Sequence, residues 1–97
     1  MTIIHDVFEL AKTEPKTPEQ QFLKLMEELG EASQAFLSQQ KVSGNAYKEL
    51  SEAQLHEELT DVLLVTLALM PKVGLTEEKL AAVIAPKIAK WQAKQGN

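Results

Sequence analysis

The chain has 97 residues, no cysteine, two histidines and a net charge of −4, with ten cations that are all lysine. This composition excludes a disulfide framework and a Cys/His zinc staple. It also lacks the basic face and the arginines with which proteins read DNA, so no nucleic-acid partner is expected.

The length bounds the fold. Residues 1–97 read as a single domain, and a chain this short buries only about 60–65% of the surface it exposes when unfolded. A lone monomer is therefore marginal. The opening Met-Thr-Ile-Ile-His-Asp has no basic n-region of a signal peptide. The most apolar run, residues 62–70, is roughly half of a membrane span and reads as a core helix. Absent cysteine and absent leader together point to a cytoplasmic protein with no membrane partner.

Four helical stretches follow in chain order. Residues 2–12 carry Ile3, Ile4, Val7, Phe8 and Ala11, a short amphipathic pattern, and a turn at Glu14-Pro15-Lys16 closes it. Thr17-Pro18-Glu19-Gln20 reads as a capping box with proline at the first helical position. The second helix should span about 18–40, with Phe22, Leu25, Met26, Leu29, Ala32 and Phe36 at helical spacing. Ser43-Gly44-Asn45 signals a loop. Ser51-Glu52-Ala53-Gln54 repeats the capping pattern and opens a third helix to about residue 70. Its second half is apolar nearly all round and must be covered on several sides, by another subunit in so small a protein.

Pro71 and Gly74 should end that helix, and Thr76-Glu77-Glu78 opens the last one. There Leu80, Val83, Ile84, Ile88 and Trp91 form an apolar stripe, and Pro86 should kink or split the helix near residue 85. Alternating β-branched patterns are scarce, so the fold class is all-α.

Two acidic clusters carry the chemistry: Glu27-Glu28-Leu29-Gly30-Glu31 and Glu58-Leu59-Thr60-Asp61. Glu28 and Glu31 are three residues apart, as are Glu58 and Asp61, so each pair emerges on one helix face. Both pairs flank an apolar seam, whereas solvated acids usually sit opposite it. Two such helices side by side converge four hard oxygen donors, which suits Mg²⁺ or Mn²⁺. Without a cation their repulsion raises some of the pKa values or splays the helices. A metal-bridged polyphosphate is the ligand class this arrangement suits.

The string Lys24-Leu25-Met26-Glu27-Glu28-Leu29-Gly30-Glu31, followed by Glu57-Glu58-Leu59-Thr60-Asp61-Val62-Leu63, resembles the EExxE and ExxD motifs of the MazG-like all-α nucleoside triphosphate pyrophosphohydrolases. The resemblance covers about residues 18–95. It implies a four-helix-bundle-type core completed by oligomerisation as a homodimer or homotetramer. The implied activity is Mg²⁺-dependent hydrolysis of (d)NTPs between the α and β phosphates, giving a monophosphate and pyrophosphate, in nucleotide-pool house-cleaning. By the same resemblance Glu28, Glu31, Glu58 and Asp61 are the metal ligands, Glu27 is a supporting acid and Lys24 is the basic position one turn earlier.

Phosphoanhydride hydrolysis asks for charge neutralisation and a placed water more than for a protein nucleophile. Glu28 or Glu31 is the expected proton acceptor. For the phosphate tail the last helix offers Lys87, Lys90 and Lys94, where the family often has asparagine or arginine. A solvated face complementing the helix dipole is the other reading of these lysines. The candidate aromatics for a base are Phe8, Phe36, Tyr47 and Trp91, of which Phe8 and Phe36 read rather as core and Trp91 as the most open to a ligand. His5 and His56 read as surface or packing residues. A di-iron centre would need histidine three residues after a ligand glutamate, which neither pair supplies. The competing function is a non-catalytic helical module that oligomerises or binds a partner through the apolar third helix.

Overall fold

The computed structural model describes residues 2–40 and 52–96, and all of its regular structure there is helical. Four helices follow one another: α1 (Ile3–Ala11), α2 (Pro18–Gln39), α3 (Glu52–Lys72) and α4 (Glu77–Gln95). Helices α1 to α3 lie within two residues of the spans expected from their periodicity and end signals, and α4 begins where Thr76-Glu77-Glu78 signals a start. The loop signal at 43–45, the capping pattern's Ser51 and Tyr47 lie outside the described residues.

Local chemistry explains the helix ends. At the start of α2, Gln20 N–H donates to Thr17 Oγ1 at 3.1 Å and Thr17 N–H donates to Gln20 Oε1 at 2.9 Å, so the capping box is formed. Thr2 and Thr76 cap α1 and α4 by accepting from the backbone of His5 and Lys79. Helix α3 runs through Pro71, which lies inside its last turn, to Lys72, and Gly74 closes it two residues further on. Leu75 N–H reaches back to the Met70 carbonyl at 2.9 Å and Gly74 N–H to the Pro71 carbonyl at 3.2 Å, while Gly74 takes φ +86°. This is a Schellman closure, and it needs a residue at ease in the left-handed region.

Pro86 was expected to kink or split the last helix, yet α4 runs unbroken past it. Proline removes one amide donor and crowds the carbonyl one turn earlier. Here that carbonyl belongs to Ala82, which is exposed, so solvent can take over the lost bond and the helix continues.

Helices α2 and α3 form an antiparallel hairpin, the most extensive contact in the structure. Residues 21–24 of α2 face 64–68 of α3, and 29–37 face 55–59. Ala32 and Ala35 lie buried at this seam and let the two backbones approach closely. Helix α1 covers the far end of α3, where Phe8, Ala11, Leu67 and Leu69 are buried. Lys72 ties the α1–α2 connector down by donating from Nζ to the carbonyls of Glu14 and Lys16.

Helix α4 contacts α1 alone among the other helices, and His5 Nδ1 stands 2.8 Å from a carboxylate oxygen of Glu77 at that contact. Its stripe of Val83, Ile84, Ile88 and Trp91 is exposed. The radius of gyration is 16.3 Å, against about 13 Å for a compact domain of this length. A closed four-helix bundle within one protomer is therefore not formed. Phe36, read as core, is 49% exposed, and Leu59, Leu63 and Leu64 on α3 are also open. No described helix is long and apolar enough to cross a membrane.

Candidate metal centre

Glu28, Glu31 and Glu58 converge where the seam narrows. Each contributes one carboxylate oxygen to a group in which all the oxygens lie within 4.8 Å of one another. The alanine seam explains the meeting. Glu28 lies one turn before Ala32 on the face that α3 covers, and Glu58 faces it from the opposing helix. Glu28 is buried, Glu58 half-buried and Glu31 exposed, so the trio runs from the interior to solvent.

Three like charges this close need compensation. One source is Lys24, whose Nζ is 2.8 Å from Glu28 Oε1 and 3.7 Å from Glu27 Oε1. These acids, Glu28 first, raise the Lys24 pKa above its ordinary value. The crowding also acts on Glu58. Burial, then hydrogen bonding with Glu31, then the negative charges of Glu31, Glu28 and Asp61 raise Glu58 above its ordinary 4.5. Even so, Glu58 Oε2 is buried without a hydrogen-bond partner.

An orphaned, buried carboxylate oxygen beside two further carboxylates is a poor end state for a protein without a ligand. It fits a metal ion well, since every donor is a hard, anionic oxygen. Glu28, Glu31 and Glu58 can hold such an ion.

Asp61 stands apart. Its side chain is exposed beside His56, Glu57 and Thr60, and it acts on the trio through its charge on Glu58. Glu27 is exposed and pairs with Lys24. Lys87, Lys90 and Trp91 are not brought to the acids, because α4 touches neither α2 nor α3. Trp91 is 64% exposed. His56 is exposed and lies 3.7 Å from Glu52, one turn away on its own helix.

Sequence reasoning missed two residues here. Lys72 lies beyond the expected end of the third helix, but it fastens the connector beside Lys24. Gln21 is 4% exposed and its Oε1 has no partner. No signal in the linear sequence marks either. A cavity of about 470 Å³ opens between Leu29, Ser33, Phe36, Leu55 and Leu59. Comparison with family models, with curated proteins and with solved structures finds no match to this chain.

Proposed function

We propose that this protein is a Mg²⁺-dependent nucleoside triphosphate pyrophosphohydrolase of the MazG-like type, cleaving (d)NTPs between the α and β phosphates. The observation that carries the reading is the convergence of Glu28, Glu31 and Glu58 from two helices on one point, with Glu58 Oε2 left unpartnered. Glu28, Glu31 and Glu58 hold the cation, while Asp61, the fourth acid of the resemblance, lies outside the trio and acts on it through its charge on Glu58. When bound, Mg²⁺ neutralises the polyphosphate and acidifies a coordinated water. Glu28 or Glu31 accepts the proton of the attacking water. Lys24, at the rim of the trio, exchanges part of its pairing with Glu28 for a phosphate oxygen, and Glu27 keeps it oriented.

The exposed apolar surface supports assembly of identical chains. Met26 and Leu29 on α2 and Leu59 and Leu63 on α3 are each more than half exposed along one side of the hairpin. Four such side chains on a domain this small mark an interaction surface. A homodimer or homotetramer covers them and completes the bundle. Lys87, Lys90 or Trp91 reaches an acid trio only from another protomer's α4.

The test is incubation of the pure protein with each (d)NTP and Mg²⁺, with products separated by ion exchange. Monophosphate plus pyrophosphate, abolished by EDTA, is the expected result. Diphosphate plus phosphate rejects the α–β assignment. One further reading has an observation in its favour: Lys24 already neutralises Glu28 with no ion, as in a non-catalytic oligomerising module. Absence of turnover with Mg²⁺ and Mn²⁺, and a melting temperature indifferent to both, would establish that module.

A further inference from the structure

Linked to the acid trio through Lys24, which pairs with Glu28, lies a cavity of about 180 Å³. Gln21 and Lys24 of α2 form one wall, Val65 and Ala68 of α3 the other, and Glu14 and Lys16 of the α1–α2 connector close it. Its construction is firm. Lys72 Nζ holds the carbonyls of Glu14 and Lys16, Lys24 Nζ is anchored on Glu28, and Gln21 N–H is fixed on the Thr17 carbonyl at 3.0 Å.

One atom of this wall is unsatisfied. Gln21 is buried, and its Oε1 accepts no hydrogen bond. A buried carbonyl oxygen left so costs free energy that an apolar side chain of the same shape would not. Val65 and Ala68 opposite it offer no donor. Gln21 and Glu28 are seven residues apart on one helix, about 10 Å along its axis. A ligand whose phosphates sit at the acids can therefore place its next part in this cavity, with Lys24 between the two.

We infer that this cavity receives the non-phosphate part of the substrate, and that Gln21 Oε1 accepts a hydrogen bond from an N–H or O–H of it. The inference rests on the triphosphate reading of the acid trio and adds to it a residue that selects among nucleotides. The donor is either an exocyclic amine of the base or a hydroxyl of the sugar. Both are donors, as the orphaned oxygen requires, whereas a bare hydrocarbon would leave it unpaired.

The experiment compares the native protein with Gln21→Leu, using non-hydrolysable α,β-methylene triphosphates for binding and the natural triphosphates for kcat and KM. Gln21→Leu should raise Kd and KM about ten-fold, the loss of one hydrogen bond to a buried acceptor. Mg²⁺ binding without nucleotide should be unchanged. The ligand-free variant should melt higher by about 4 °C, because the orphaned oxygen is gone. A purely structural glutamine would lower the melting temperature instead. A penalty confined to amine-bearing bases, spared with dUTP, assigns the donor to the base. A penalty common to all bases that vanishes with 3′-deoxy analogues assigns it to the sugar. Identical Kd for every nucleotide in the two proteins overturns the inference while leaving the hydrolase reading intact, and means that the cavity holds water only. Native protein that neither binds nor hydrolyses any triphosphate overturns both.

Discussion

Lys24 Nζ stands 2.8 Å from Glu28 Oε1, so in the ligand-free protein a half-exposed ammonium occupies the place at a buried carboxylate where a metal ion would bind. The pair is an intrahelical one, four residues apart, and its partner acids Glu31 and Glu58 come within reach only through the α2–α3 seam. Lysine and cation therefore compete for one carboxylate, while the lysine and the polyphosphate attract each other.

That competition gives opposite signs for two affinities. Replacing Lys24 by methionine should tighten Mg²⁺ binding several-fold in a calorimetric titration and lower the melting temperature of the metal-free protein. The same change should raise KM for a triphosphate, because the cation at the rim is lost. If both affinities fall together, Lys24 serves only to hold α2.

Proton and metal compete at Glu58. Its carboxyl is raised above 4.5 in the fold, so between 4.5 and the raised value the folded protein binds more protons than the unfolded chain. Stability from this group is then fully present below 4.5 and falls as pH rises through the raised value. Thermal melts in EDTA should show that decline, and Glu58→Gln should remove it. Saturating Mg²⁺ should restore the melting temperature at the upper end of the window, and Mg²⁺ affinity should weaken toward its lower end. A melting profile identical with and without Mg²⁺ at every pH would discard the metal assignment.

Gly74 tests the end of α3. At φ +86° an added Cβ meets nothing within 4 Å, so substitution by alanine is penalised by backbone conformation alone. Gly74→Ala should destabilise by about 1–2 kcal/mol in denaturant unfolding, through the left-handed backbone. The α2 cap gives a comparable figure: Thr17→Ala should cost about 1 kcal/mol.

Assembly is checked by light scattering after gel filtration. The native chain should elute as a dimer or tetramer, and Leu63→Glu should dissociate it, since a charge on that open face cannot be buried against a second copy. A native monomer at micromolar concentration would leave the exposed leucines to some other partner.

Helix boundaries and the pairing of acids on helix faces were legible in the sequence because both are local. Capping by Thr17 and Thr76 is decided within four residues, and the rotation of Glu28 relative to Glu31 follows from one helix axis. How two axes are rotated and offset against each other depends on which small side chains meet, here Ala32 and Ala35 against α3. Tertiary structure alone therefore decided that Glu58 joins Glu28 and Glu31 while Asp61 remains outside. It likewise decided that Lys72 straps the connector, that Gln21 is buried with an idle oxygen, and that α4 leaves the hairpin. That Pro86 does not split α4 has a related reason. The effect of a proline in a helix depends on whether the carbonyl it displaces can reach water, and that is a property of the fold around Ala82, not of the residue.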